Sequence, residues 1–143
     1  MNNSIKIASL FLLSLILSCN NDDTEIKDEL EGATTCVLTN GTGVCLDGPK
    51  SIVPGKKYTY AFKVNKERSG NKVHEVINWD VKSGKLAIID IKTTISGDFT
   101  TSVATMKFES DFAGGVIKAS TVPDDQASPL AVSSIQVPIG VEK

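Results

Sequence analysis

Histidine is the scarcest reactive residue in this 143-residue chain, which contains only His74. Catalysis by a serine or cysteine nucleophile with a histidine base would therefore depend on that one side chain. No nucleophile elbow, phosphate-binding loop or zinc signature occurs in the sequence. Glu75 follows His74, but neighbouring residues of a strand point to opposite faces, so the two do not form an acid–base pair. We therefore predict that His74 is a surface residue, and that the chain has no enzymatic activity and needs no cofactor.

Clusters of basic residues are also missing. The chain carries 15 Lys and Arg against 17 Asp and Glu, a formal net charge of -2, and no basic run exceeds two residues. A nucleic-acid partner is excluded because its binding surface would need concentrated positive charge. Hydrophobic residues make up 41% of the chain, so it has the composition of a folded protein, and the length suits one domain.

No apolar run is long enough to cross a membrane, which takes roughly 20 residues. The run from Ile7 to Leu17 instead has the length of a signal-peptide core. It ends in Ile16-Leu17-Ser18-Cys19, which resembles a bacterial lipobox. The resemblance implies a lipoprotein signal peptide over 1–18 and fatty acyl chains, palmitate among them, on Cys19, which anchor the mature chain in a membrane. The alternative is an ordinary secretory signal with an incidental cysteine.

Residues 19–33 are mainly polar and carry six acidic residues against one lysine, and we predict a flexible acidic tether between the lipid and the folded domain. The acidic cluster that follows Cys19 resembles the surface-export signal of Bacteroidota lipoproteins. A plain spacer is the alternative interpretation.

The remaining cysteines, Cys36 and Cys45, flank an Asn40-Gly41 pair, the strongest signal for a two-residue hairpin turn. Counting outward from that turn places the cysteines opposite each other in a non-hydrogen-bonded pair, with Cα atoms ~4.5 Å apart. An exported protein meets an oxidising compartment, so we predict a Cys36–Cys45 disulfide. A metal site is the alternative, but two cysteines with no histidine nearby make a poor one.

Short alternating stretches fill the rest of the chain, and none keeps helical periodicity over three turns. Strands are predicted over 57–64, 73–81, 86–91, 102–108, 116–120 and 130–141, with a short edge strand over 48–55 and a turn over 93–101. This pattern predicts an all-β antiparallel sandwich of seven to eight strands, with a small β-barrel as the alternative. The apolar residues predicted to share the inward faces are Tyr58, Tyr60, Phe62, Val64, Val73, Ile77, Trp79, Val81, Ala104, Met106, Phe108, Ile117, Ala119, Ile135, Val137, Ile139 and Val141.

The centre of the predicted fold is the stretch from Val76 to Val81, which holds the only tryptophan, Trp79. The turn 82–85 and a second apolar run, 86–91, follow it. We predict that the two runs form a central hairpin with Trp79 as the core anchor.

Two further groups of residues suggest binding chemistry. Asp98, Asp111, Asp124 and Asp125 lie in predicted turns, where carboxylates can hold calcium, but Asp is also a common turn residue. Tyr58, Tyr60 and Trp79 could form a stacking platform for sugars. Their alternation with polar residues favours core packing instead.

The stretches Gly48-Pro49-x-Ser51-x-Val53-Pro54-Gly55-x-x-Tyr58-x-Tyr60, Asn78-Trp79-x-Val81-x-x-Gly84, Met106-x-Phe108 and Gly115-x-Ile117-x-Ala119 resemble the PKD-like, immunoglobulin-like domains of Bacteroidota surface proteins. The resemblance covers residues 48 to 141 and implies an immunoglobulin-like sandwich within a domain spanning 34–143. That family usually occurs as tandem repeats, whereas here there is one copy. The cysteine pair and the loop 121–129 also lie outside the family pattern.

Together these features predict a lipid-anchored outer-membrane module, facing the periplasm or the cell surface, that binds a protein or a glycan in adhesion. Alternatives are an accessory subunit of a larger envelope complex and a lipocalin-like carrier of a small apolar ligand. The partner could also be a second copy of the chain, bound through an exposed edge strand.

Overall fold

A computed structural model describes residues 30–39, 43–122 and 131–140. The described residues form eight strands: β1 (Glu31–Gly32), β2 (Val44–Asp47), β3 (Lys57–Asn65), β4 (Ile77–Ser83), β5 (Leu86–Ser96), β6 (Phe99–Phe108), β7 (Gly115–Thr121) and β8 (Val132–Val137). A short 3-10 helix, Lys66–Ser69, follows β3. Asn65 caps this helix by accepting a hydrogen bond from the Arg68 N–H, and Gly70 ends it with a φ of 74°. The signal peptide, Cys19 and most of the tether lie outside the described residues.

The strands form two open sheets, as expected for a sandwich and unlike the closed-barrel alternative. In the larger sheet the order is β1-β3-β6-β5, with β2 pairing the same edge of β3 further along the strand; the smaller sheet has the order β4-β7-β8. All pairings within these sheets are antiparallel except β1 with β3. The all-β prediction is confirmed at this level.

Both sheets contribute side chains to one hydrophobic core. Phe108 is at its centre, with its ring 5.7 Å from that of Tyr58 and 4.8 Å from that of Phe112, both edge-to-face. The predicted inward faces of β3, β6 and β7 are buried throughout. Four predicted core positions differ: Val81 and Ile135 are half-buried, and Val73 and Ile139 are 41% and 48% exposed. Val141 lies outside the described residues.

The predicted central hairpin is wrong. β4 pairs with β7 and β5 pairs with β6, so the turn after Ser83 carries the chain from the small sheet to the large one. Gly84 allows this crossing because its φ is 96° and a Cβ there would lie 2.8 Å from the Gly114 carbonyl oxygen. The strand predicted over 73–81 is observed as β4, which begins only at Ile77.

The prediction of a turn over 93–101 is also wrong, except at its centre. β5 continues to Ser96 and β6 begins at Phe99, leaving a two-residue turn of Gly97 and Asp98. Gly97 has a φ of 58°, as the first central residue of a type II′ turn requires, and Asp98 has no positive φ. The result is a long hairpin whose two strands pair from Leu86–Phe108 to Ser96–Phe99.

The disulfide is confirmed, but the hairpin that was expected to carry it is not seen. Cys36 and Cys45 are bonded, with Cα atoms 6.1 Å apart rather than ~4.5 Å. Cys45 belongs to β2, which pairs with β3, whereas Cys36 lies in a segment outside any strand. Residues 40–42, the predicted turn, lie outside the described residues.

Three further boundaries differ from the prediction. The predicted edge strand over 48–55 is reduced to a single parallel bridge between Ile52 and Ile139. Within the described part of the predicted strand over 130–141, residues 131–140, the strand is β8, and it is followed by Pro138, which cannot donate to a ladder. β1 lies within the stretch assigned to the tether, so Glu31–Gly32 is part of the large sheet.

Candidate binding surfaces

A shallow groove of about 380 Å³ crosses the outer face of the large sheet. We call it the threonine groove, and it is lined by Thr34, Asp90, Lys92, Thr94, Thr101, Val103 and Thr105. Six of these residues form three cross-strand pairs of the hairpin: Asp90 with Thr105, Lys92 with Val103, and Thr94 with Thr101. Alternate residues of a strand share a face, which places all six side chains on the outer surface.

The groove has a half-buried floor and an exposed rim. Thr101, Val103 and Thr105 on β6 are half-buried, while the β5 residues Asp90 and Lys92 are exposed. The floor presents threonine hydroxyls, which both donate and accept hydrogen bonds, and the rim adds one carboxylate and one ammonium group. No aromatic side chain lines the groove, so its chemistry is hydrogen bonding rather than stacking.

One wall of the groove is the N-terminal segment, residues 30–39, which contributes Thr34. This segment enters beside β3, where the Ala33 N–H donates to the Thr59 carbonyl at 3.0 Å. Gly32 makes the close approach possible, because a Cβ there would lie 2.3 Å from the Thr59 oxygen and its φ of 141° disfavours other residues. Further along, the disulfide fastens Cys36, which is 4% exposed, to β2. The wall is therefore held at both ends.

A second depression, of about 510 Å³, lies beside the 3-10 helix and is lined in part by Asn65, Glu67 and Phe99. The Lys63 ammonium lies 4.9 Å from the centre of the Phe99 ring, a cation–π contact. Residues 40–42, which follow its lining residue Thr39, lie outside the described part of the chain. The threonine groove is the better defined of the two surfaces.

His74 lies in the loop before β4 and contacts β6 and the 3-10 helix. Its backbone N–H donates to the Thr100 hydroxyl at 3.0 Å, and its Nε2 is 3.2 Å from the Ser69 carbonyl oxygen. The side chain is half-buried rather than fully on the surface, and Glu75 beside it is exposed. Neither contact involves a nucleophile or a carboxylate, so in this geometry His74 fastens the loop.

The proposed calcium ligands are not brought together. Asp98 pairs with Lys66 at 2.6 Å in the β5–β6 turn, and Asp111 pairs with Lys85 beyond the far end of β6. The hydrogen bond from Lys85 lowers the pKa of the Asp111 carboxyl. No group of three acidic, histidine or cysteine side chains that could hold a metal occurs within the described ranges. Asp124 and Asp125 lie outside them.

The aromatic residues considered for sugar stacking lie in the core. Tyr58, Tyr60 and Trp79 are at most 6% exposed. Their polar atoms are satisfied internally: the Tyr58 hydroxyl accepts from the Val53 N–H at 2.9 Å, and the Tyr60 hydroxyl donates to the Pro49 carbonyl at 3.3 Å. The Trp79 indole N–H donates to Ser102 Oγ at 3.0 Å. These rings cannot stack on a ligand in this structure.

The sequence contained a signal for the threonine groove that the prediction missed. Gly97-Asp98 fits a two-residue hairpin turn, and counting outward from it pairs Thr94 with Thr101 and Lys92 with Val103. Recognising that turn would have placed three threonines on one face of two paired strands. The wall contributed by Thr34 has no comparable signal, because it depends on a contact distant in sequence.

Comparisons with protein-family models, with curated proteins and with solved structures find no match to this chain. Within the described ranges there is no helix long and apolar enough to span a membrane.

Proposed function

We propose that this chain is a lipid-anchored module of the cell envelope, of the immunoglobulin-like, PKD-like type, that binds a partner in adhesion without catalysing a reaction. The anchor is Cys19, and the location is the outer membrane, with the domain facing the cell surface. Support comes from the lipobox-like residues 16–19 and from the two open sheets with a shared core. The ligand-binding surface is the threonine groove.

The observation that carries this proposal is the construction of the groove. Aligned cross-strand pairs present hydroxyl groups beside one carboxylate and one ammonium group, on a hairpin of ten paired positions. A disulfide-held segment walls one side, so Thr34 is held in place before a ligand arrives, which reduces the entropy cost of binding. A hydroxyl-rich ligand, such as a glycan, can pair with every one of these donors and acceptors.

The alternatives have less support. A lipocalin-like carrier would need an empty interior, whereas Tyr60, Phe62 and Phe108 fill the space between the sheets and are fully buried. An accessory subunit of an envelope complex would bury its groove against another protein. Stable co-purification of such a protein from membranes, with no glycan binding, would favour that alternative.

The test of groove binding uses two double variants with the same charge change. D90N/K92Q removes both charges of the groove rim, and D80N/K82Q removes the Asp80–Lys82 ion pair on the other sheet. Purified full-length protein is applied to a glycan array and to intact cells. We expect at least about a tenfold loss of binding for D90N/K92Q, the effect of losing one or two charge-assisted hydrogen bonds, and none for D80N/K82Q. Equal effects of the two variants, or no binding by the wild type, would overturn the proposal.

The location is tested separately by protease treatment of intact cells expressing wild type or C19A. We expect the wild-type domain to be membrane-associated and removed by the protease, and C19A to be lost from the membrane fraction. Protection of the wild-type domain until the outer membrane is opened would place it in the periplasm and remove the basis for adhesion.

A further inference from the structure

β5 has one paired edge and one open edge. Ten of its 11 residues pair with β6, all but Ile89 in the bulge, and no other described strand lies on its opposite side. An open strand edge presents unpaired backbone N–H and C=O groups, which proteins usually protect with charges, prolines or bulges. β5 has a bulge between Ile88 and Asp90, but from Ile91 to Ser96 it is regular, contains no proline, and carries a single charge, Lys92, on the outer face.

The turn that joins β5 to β6 determines which backbone groups face outward. Ser96 and Phe99 flank a two-residue turn and so exchange hydrogen bonds, and hydrogen-bonded pairs then alternate along the ladder. Thr94 and Lys92 therefore bond to β6. The N–H and C=O groups of Ile91, Thr93 and Ile95 point away from β6, toward the open edge.

The side chains along this edge are apolar and incompletely covered. Ile91 and Ile95 are 44% and 43% exposed, although they pair with Ala104 and Thr100, which are buried on the inner face of β6. Leu86 and Ile88 at the start of β5 pack against the core, but the smaller sheet does not extend far enough to cover Ile91 and Ile95. These two isoleucines lie on a regular open edge and leave apolar surface exposed to water, which a further strand would cover.

We propose that two copies of this chain pair through β5 in an antiparallel arrangement, with Thr93 opposite Thr93 of the other copy. In this register Ile91 lies opposite Ile95 and Ile95 opposite Ile91, so all three outward-facing residues form reciprocal hydrogen-bonded pairs. The isoleucines of each copy cover those of the other. This inference does not depend on the proposed function.

Other registers are less favourable for identifiable reasons. Centring the pair on Lys92 places two lysines directly opposite each other, which is destabilising in a sheet. Centring it on Ile91 brings Thr93 opposite the bulge at Ile89, where the backbone is irregular. In the proposed register Lys92 lies opposite Thr94, and Asp90 opposite Ser96, so no like charges meet. In this register the side chains of β5 fit opposite those of a second β5. For this reason we infer that the strand bound at the open edge belongs to a second copy of the chain.

The arrangement also has a geometric consequence. A two-fold axis through the Thr93 pair is perpendicular to the sheet, so the outer faces of both copies lie on the same side. The two threonine grooves would then lie side by side on one continuous ten-stranded sheet, with both copies of β5 between them.

The experiment is site-specific cross-linking of the full chain in membranes, with single cysteines introduced into β5 and a mild oxidant. Residues opposite each other in a hydrogen-bonded pair have Cα atoms ~5.5 Å apart, within disulfide range, so T93C alone should form a covalent dimer. I91C alone and I95C alone should not, because each is displaced from its own counterpart by four residues, about 14 Å at ~3.4 Å per residue. A mixture of differently tagged I91C and I95C chains should cross-link. Wild type, which retains Cys19, Cys36 and Cys45, gives the background.

A proline pair tests the hydrogen bonds themselves. In T93P the missing N–H is one that points outward, so the fold should remain and the I91C–I95C cross-link should be lost. In T94P the missing N–H is bonded to β6, so the hairpin itself should be destabilised. Absence of cross-linking for both T93C and the I91C–I95C mixture would overturn the proposal, and so would cross-linking of I91C alone or an undiminished I91C–I95C cross-link in T93P.

Discussion

β3 and β5 both pair with β6 in the same sheet, but their environments are opposite. β3 is buried on both faces from Tyr58 to Phe62, including the outward residues Thr59 and Ala61, whereas β5 has no buried residue. Both strands contain bulky apolar residues, so composition does not account for the difference. What differs is the cover: the small sheet and the N-terminal segment lie against β3, whereas on β5 only Leu86 and Ile88 pack against the core and Ile91 and Ile95 are left exposed.

The comparison separates two uses of a strand. β3 contributes stability, because Tyr60 and Phe62 are buried between the two sheets and their apolar surface is removed from water. β5 contributes surface: its outer face forms the rim of the threonine groove, and its open edge is the one through which we infer self-pairing. Surfaces used for binding are commonly carried by the less protected parts of a rigid scaffold.

The largest expected effect is on the free energy of unfolding. Phe62→Ala on β3 removes a fully buried ring and leaves a cavity, which should cost about 3–5 kcal/mol. Ile91→Ala on β5 removes a side chain that is already 44% exposed and should cost less than about 1 kcal/mol. Urea unfolding of both variants, at low protein concentration, measures the difference. Similar losses in the two variants would mean that β5 is protected in solution as well as β3.

Removing the disulfide should loosen the N-terminal segment that covers β3 and so make part of β3 as accessible to water as β5. The C36A/C45A variant releases the far end of the N-terminal segment and should destabilise the fold by about 2–3 kcal/mol, as expected for a short closed loop. Hydrogen exchange should become faster in β2 and in the neighbouring part of β3, and remain unchanged in β5. Faster exchange in β5 to the same degree would show that the disulfide stabilises the whole sheet and not one strand's cover.

Sequence periodicity predicted individual strands well where one face is uniformly apolar. The alternation in 57–64, 102–108 and 116–120 identified β3, β6 and β7 together with their inward faces, because period-two patterns follow directly from the pleat. The disulfide was predictable because, once Cys19 was assigned to the proposed lipid anchor, the two remaining cysteines left one pairing. The predicted register around it was wrong, since Cys36 lies outside the ladders.

Strand pairing was not predictable in the same way. The turn at Gly84 reverses the chain, but the local sequence does not specify whether the next strand joins the same sheet or crosses to the other. That choice depends on the close approach of Gly84 to Gly114, which is distant in sequence. The β5–β6 pairing was signalled by the two-residue turn at Gly97-Asp98, but the wall of the threonine groove depends likewise on a distant contact, the position of Thr34. Non-local contacts of this kind leave no periodic signal.

Trp79 of the small sheet is linked through Ser102 of β6 to the exposed strand β5. Its indole N–H reaches Ser102 on β6, and Ser102 also accepts a hydrogen bond from the Thr93 hydroxyl of β5 at 3.0 Å. Trp79→Phe should cost about 2 kcal/mol through lost contact and a lost hydrogen bond. Ser102→Ala, which leaves the indole N–H buried without its acceptor, should cost a similar amount by thermal or urea unfolding. A negligible effect of Ser102→Ala would mean that the bond does not join the sheets in solution.

The smallest expected effect is that of alkaline pH on the free energy of unfolding, and it acts through one residue of β3, the buried Tyr60. Burial, and secondarily the neighbouring Tyr58, raises the pKa of the Tyr60 phenol above its ordinary value of 10.0. The unfolded chain releases this proton near pH 10 while the folded chain retains it. The stabilising contribution is therefore complete below pH 10 and decreases as the pH rises, by up to about 1.4 kcal/mol per unit. Tyr60→Phe should lack this part of the decline, which urea unfolding at several pH values between 9 and 11 would measure. Parallel pH profiles for the two proteins would show that Tyr60 ionises as freely as a tyrosine in water.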